Sequence, residues 1–302
     1  MLAATSPILP TIAVTFAALF AAKTMPQRLP PKVATRLLTS LCATALVLAS
    51  VVVVALALTS LAQLHGVAEW LERCTRQFQI HTDRPSLLGA LAALAIVGGA
   101  TRFLAARRSQ RSIEPLPGDT KLRIIEADDA MAYSIPGRAG HTGQIIVTSA
   151  MLASLTAPEQ AVLFAHENAH LRLGHHRYAR FAENAAAAAF FLTPVANAIR
   201  YSIERWADED AAAVVGDRKL VARAVAHAAL ASSGGPCPHP AALAMSESSV
   251  VLRVIALTQP PTQPSRLSML VVSAFSLVAF AALVVSMFTL HHVAIRILKL
   301  CF

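Results

Sequence analysis

Four long apolar runs punctuate the chain, and a mixed polar stretch separates the third from the fourth. The first three cover about residues 3–22, 37–64 and 85–104, and the last lies within residues 266–302. A helix needs roughly 20 apolar residues to cross a hydrocarbon core of about 30 Å, and each run approaches or exceeds that length. The first has no basic residues ahead of it, and Lys23 and Arg28 follow instead. It therefore reads as an uncleaved span rather than a secretory signal. The stretch between the third and fourth runs changes rhythm. Residues 121–126 (KLRIIE) and 144–148 (QIIVT) read as short strands, with a turn region at Pro136-Gly137, Gly140 and Gly143 between them. Helices follow. Thr156 with Glu159 three residues on has the capping-box spacing, Pro158 is allowed in a first turn, and Gly174 is a natural stop. A second helix is expected over about 194–215, and an alanine-rich one from near Asp217. Residues 185–199 are very apolar but short and broken by Pro194, which suggests a helix packed in the domain or lying against the bilayer.

Composition agrees with a membrane protein. Apolar residues make up 55% of the chain and charged residues 14%, where a soluble protein carries about 25% charged residues. That balance excludes an ordinary soluble domain and a disordered chain. The net charge of +9 serves to orient the spans. The first connection carries Lys23, Arg28, Lys32 and Arg36 with no acid, the second balances Glu69, Glu72 and Asp83 against three arginines, and Arg102, Arg107, Arg108 and Arg111 follow the third span. Positive loops stay cytoplasmic. The N-terminus is thus expected outside and residues 102–265 in the cytoplasm of a multi-pass cell-membrane protein; Arg296 and Lys299 in the final tail run against this. The arginine cluster beside a span fits lipid headgroups better than nucleic acid, so no direct nucleic-acid binding is expected. The four cysteines have no paired spacing. Excess Arg over Lys and abundant Ala point to a GC-rich bacterial genome.

The candidate chemistry sits in the middle stretch. His166-Glu167-Asn168-Ala169-His170 is an HExxH motif. At i and i+4 both imidazoles share one helix face and can meet on one zinc ion, with Glu167 beside the open coordination position as general base. Glu204 and Asp208 are again four apart. Glu204 is the expected third ligand, with Glu209 its rival, and Asp208 is the expected outer partner fixing a ligand imidazole. His175 and His176 read as a structural pair and His227 as surface or core. The apolar runs hold no ionisable residue between their flanking charges, against the expectation for a transporter or channel.

The order strand, HExxH helix, then Glu-x-x-Ala-Asp on a later helix resembles the gluzincin metallopeptidases of membranes, over about residues 120–215. The BlaR/MecR-type sensor peptidases (family M56) look closest, and the CAAX-protease/HtpX kind (family M48) is the neighbouring group. The resemblance implies a mostly α, integral membrane protein. About four transmembrane helices (domain 1–101 and segment 266–302) would frame a cytoplasmic zincin-like α+β domain over 102–265, with a small antiparallel sheet. It implies one Zn2+ per chain, a zinc metalloendopeptidase activity, and a protein or peptide substrate, with a transcriptional repressor as one candidate. The expected substrate-binding edge strand is Gln144, Ile145, Ile146, Val147 and Thr148. His239, in Cys237-Pro238-His239-Pro240, resembles a His-Pro of the M48 group and is a candidate oxyanion stabiliser. Well-known sensor peptidases carry an extracellular penicillin-binding domain after the last span. This sequence ends at Phe302, so a different trigger is expected. The competing reading is a membrane signalling scaffold with a structural zinc.

Overall fold

A computed structural model describes residues 8–61, 87–111, 121–137, 143–232, 240–263 and 265–301. It is mostly helical. Among the described residues four helices are long and apolar enough to cross a membrane: α1 (Ile8–Arg28), α2 (Pro31–Leu61), α3 (Leu87–Arg111) and, later in the sequence, α10 (Arg266–Cys301). Their helical ends run past the apolar runs into the basic flanks, because Lys and Arg propagate a helix well. α1 and α2 are separated only by Leu29-Pro30. Proline disfavours helix at the residue before it, and Pro31 is tolerated at a helix start. The expected polar connection over 23–36 is therefore helix on both sides of one tight turn.

The strands are β1 (Leu122–Ile125), β2 (Ala132–Ile135) and β3 (Gln144–Thr148). Their order is β1–β3–β2, with β1 parallel and β2 antiparallel to β3. Two sequence expectations need correction. The sheet is mixed rather than antiparallel, because β2 intervenes in sequence and returns β3 parallel to β1. Residues Gln144, Ile145, Ile146, Val147 and Thr148 are the central strand, not an edge. All five are buried, as a near-continuous apolar run paired on both sides should be. Among the described residues β1 and β2 each pair only with β3, and β2 is the edge on the side of the HExxH helix. Its sequence, AYSI, is too short and too weakly alternating to announce itself.

The remaining helices are α4 (Ser149–Ala153), α5 (Ala157–Arg172), α6 (His175–Ala188), α7 (Thr193–Val215), α8 (Arg218–Ser232) and α9 (Pro240–Thr258), with a 3-10 turn at Phe190–Leu192 before α7. The start of α5 is as expected: the Glu159 carboxylate accepts from the Thr156 backbone N–H at 3.0 Å and its hydroxyl at 2.8 Å. Gly174 adopts φ 66°, so α5 ends and α6 begins in a new direction. The Asp217 side chain accepts from the N–H groups of Lys219 and Leu220 and caps α8.

Packing does not respect the division into stem and domain at residues 101 and 266. One apolar cluster joins Val14, Ala18 and Ala21 of α1, Leu38 and Leu41 of α2, Ala182 and Ala185 of α6, Val195, Ile199 and Ile203 of α7, and Ala279 of α10. Helix α3 lies on α6 so closely that a Cβ on Gly99 would stand 2.7 Å from the Ala188 carbonyl oxygen. Gly99→Val is expected to cost about 1–3 kcal/mol by overpacking, read as a lower thermal midpoint in detergent. Gly98→Ala, with nothing within 4 Å, serves as the near-neutral control.

Candidate metal centre

Helix α5 presents His166, Glu167 and His170, and α7 crosses it with Glu204 and Asp208. The Nε2 atoms of His166 and His170 are 3.1 Å apart. Glu204 Oε2 lies 3.5 Å from His166 Nε2, and Oε1 lies 3.6 Å from His170 Nε2. Zinc bound at about 2.0–2.1 Å in tetrahedral geometry separates its ligand atoms by about 3.3–3.4 Å. The three donors therefore already have a zinc site's spacing, and they form a group able to hold a metal ion.

Each imidazole is oriented from behind. His166 Nδ1 is 3.0 Å from Asp208 Oδ1, and His170 Nδ1 is 3.2 Å from His175 Nδ1. His175 is buried and its ring centre lies 4.8 Å from that of Trp206. The sequence alone left His175 as a structural histidine; the fold puts it behind a candidate ligand, because the Gly174 turn brings the start of α6 back onto the end of α5. Asp208 in turn accepts a bidentate pair from Arg253, Nε to Oδ2 and Nη2 to Oδ1, both at 2.7 Å. Arg253 Nη1 is also 3.2 Å from Glu204 Oε2. Sequence reading missed this residue. Its signal is a single arginine inside the apolar run VVLRVIAL, since a charge there requires a partner.

Electrostatics follow from burial and these partners. Burial lowers the proton affinity of both imidazoles. For His170 it wins and the pKa falls to about 4. For His166 the hydrogen bonds to Asp208 and Glu204 outweigh it and raise the pKa to about 10. Burial raises Glu167 above the usual carboxylate range, opposed by His166; Glu204 adds to the rise, and a Ser134 hydrogen bond works against it. A carboxyl shifted upward is better matched to proton transfer near neutral pH.

The rival acid is spoken for: Glu209 pairs with Arg218. Asp210, next to it, pairs with Arg172. His227 is half exposed and sits 2.9 Å from Glu159 Oε1, away from the centre. His239 lies outside the described residues. Two hollows flank the donors. One of about 170 Å3 is lined mainly by Val162, Leu163, Ala224, Ala228, Val250 and Arg253. The other, about 880 Å3, extends along β2 past Ser134 and His170 to Arg180, Glu183 and Arg200. Glu204 borders both.

Strands, HExxH helix and Glu204 helix fall together within one segment of known sequence pattern. Residues 105–232 match the family model for Peptidase family M48. The match covers the whole candidate centre except Arg253, and it supports a metallopeptidase of the gluzincin kind. Of the two resemblances drawn from the sequence it favours the CAAX-protease/HtpX group over the BlaR/MecR-type sensors. No curated protein and no solved structure matches the chain.

Proposed function

We propose that this chain is a membrane-embedded zinc metalloendopeptidase that cuts an extended segment of a cytoplasmic or membrane-associated protein. The observation that carries the reading is the convergence of three donor atoms at zinc spacing with a buried carboxylate beside them and an M48 match around them. His166, His170 and Glu204 would hold the ion. Zinc bound there would lower the pKa of a water to about 7 and polarise the substrate carbonyl. Glu167 takes the proton as the water oxygen attacks the amide carbon. The C–N bond then breaks and Glu167 delivers that proton to the departing amine. Asp208 and His175 hold the two imidazoles in their ligating orientation.

The free edge of β2 is where a substrate strand would lie. Thr148 N–H donates to Met131 carbonyl, so by antiparallel alternation Tyr133 and Ile135 face β3, and the backbone groups of Ala132 and Ser134 face outward. The small apolar hollow beside the donors suits one aliphatic side chain of the substrate. Ala132→Pro removes one outward donor at an edge, where proline is tolerated. It is expected to lower kcat/KM on peptides about 3–10-fold, the worth of one hydrogen bond, with zinc content unchanged. A repressor as substrate rests on the BlaR/MecR resemblance alone.

The scaffold reading is weaker because structural zinc takes four protein ligands. The further histidine beside the centre, His175, has its Nδ1 facing His170 Nδ1. The deciding assay is hydrolysis of a quenched-fluorescent peptide library by detergent-purified protein. Cleavage abolished by a chelator and restored by zinc supports the proposal; cleavage indifferent to chelation contradicts it.

A further inference from the structure

The connection between α6 and α7 has a composition and a placement that catalysis does not use. Residues 185–192 read AAAAAFFL, without a polar side chain. The turn closes part of its own backbone: Ala189 N–H donates to Ala185 carbonyl, Leu192 N–H to Ala189 carbonyl, and the Thr193 hydroxyl to Phe190 carbonyl. Phe190 at the tip is 69% exposed. An exposed phenylalanine on an all-apolar turn is costly in water, while self-satisfied backbone is what a hydrocarbon environment requires.

Two sets of contacts fix the depth of this turn. The polar set lies at its base. Gln110, near the end of α3, donates to Glu183 at 2.9 Å, Glu183 pairs with Arg200 at 3.4 Å, and Arg205 donates to the Pro26 carbonyl near the end of α1. Lys32 lies 6.0 Å from the Trp206 ring. On the span side, Gln110, Pro26 and Lys32 all lie at the basic ends of α3, α1 and α2. The apolar set lies beyond. Ala188 abuts Gly99, within the uncharged run that ends before Arg102, and α7 shares a core with Val14, Ala18 and Ala21 of α1. From Arg200 back to Thr193 is about 10 Å of helix, roughly a third of a 30 Å hydrocarbon core.

We propose that α6 and the first half of α7 form a re-entrant hairpin whose tip, at Phe190, is embedded among phospholipid acyl chains of the leaflet on the side of the candidate centre. The occupant is lipid because the hairpin reaches its depth alongside α1, α2 and α3, and α3, on which it packs, itself carries exposed Leu91 and Leu94 in its apolar run. Arg180 and Arg200 then lie at headgroup level, where long basic side chains snorkel. Glu204, one turn beyond Arg200, is held at the membrane surface. The larger hollow consequently opens at the headgroup layer.

The test uses the wild-type chain in phosphatidylcholine–phosphatidylglycerol vesicles doped with a phospholipid carrying a diazirine midway along one acyl chain. After irradiation and trypsin digestion, the peptide over residues 181–200 is expected to carry label within 185–192, with a yield comparable to peptides from Ser268–Phe288. A headgroup diazirine should leave 185–192 unlabelled. Label on the Ser268–Phe288 peptides with none on 181–200 overturns the proposal, as does label on 185–192 from the headgroup probe alone. Cross-links from 185–192 to a second copy, in place of lipid, overturn it too. The readout is chemical labelling, so it stands or falls independently of peptide hydrolysis.

Discussion

Glu167→Gln is expected to yield a protein that folds and binds zinc normally but cuts peptides about 10²–10⁴-fold more slowly, the usual worth of a positioned general base. The amide fills the same buried space and can still bond Ser134, so neither packing nor the donor spacing of His166, His170 and Glu204 changes. What is lost is a group that can accept a proton. The loss should therefore fall on kcat with KM little altered, because the interaction matters in the transition state and not in binding. Stopped assays on a peptide cleaved by wild type, with metal content measured on the same preparation, check this. A variant with full zinc and undiminished kcat would remove Glu167 from the proton-transfer role.

Arg253→Met is expected to produce the largest loss of stability, about 3–5 kcal/mol, the typical cost of removing one partner from a buried ion pair. Methionine keeps the apolar stem but leaves Asp208, 1% exposed, without its bidentate partner and Glu204 without its nearest arginine. The penalty should be largest in the chelated protein. A divalent cation near Glu204 and His166 supplies part of the missing positive charge, so zinc should narrow the gap between variant and wild type. Thermal or urea unfolding in detergent, with chelator and with excess zinc, tests both parts. Equal stability of variant and wild type without metal would mean that Arg253 does not offset the buried acids.

The centre was largely legible because its chemistry is local in sequence. An HExxH places two donors on one helix face whatever surrounds it, and Glu204 with Asp208 repeats the same spacing on α7. The Ala-Asp that follows Glu204 marks it over Glu209 in the sequence, and the fold adds a partner for the rival, since Arg218 holds Glu209 across two helices. Arg253 and His175 were missed as site residues because each reaches the centre through tertiary packing. The four spans were legible from apolar length, although their ends were not, because helix continues through basic flanks until Leu29-Pro30 interrupts it. The edge strand was misplaced because QIIVT carries the stronger β signal and strong apolar runs lie at the centre of sheets. The quieter AYSI takes the edge next to Glu167.

The most direct test of the account is zinc per chain in detergent-purified protein after metal-replete growth, for wild type and Glu204→Ala. The account predicts about one zinc in wild type and a sharp loss in the variant, since three protein donors define the site. Wild-type protein without zinc, or a Glu204→Ala protein that retains it in full, would contradict a His166–His170–Glu204 centre.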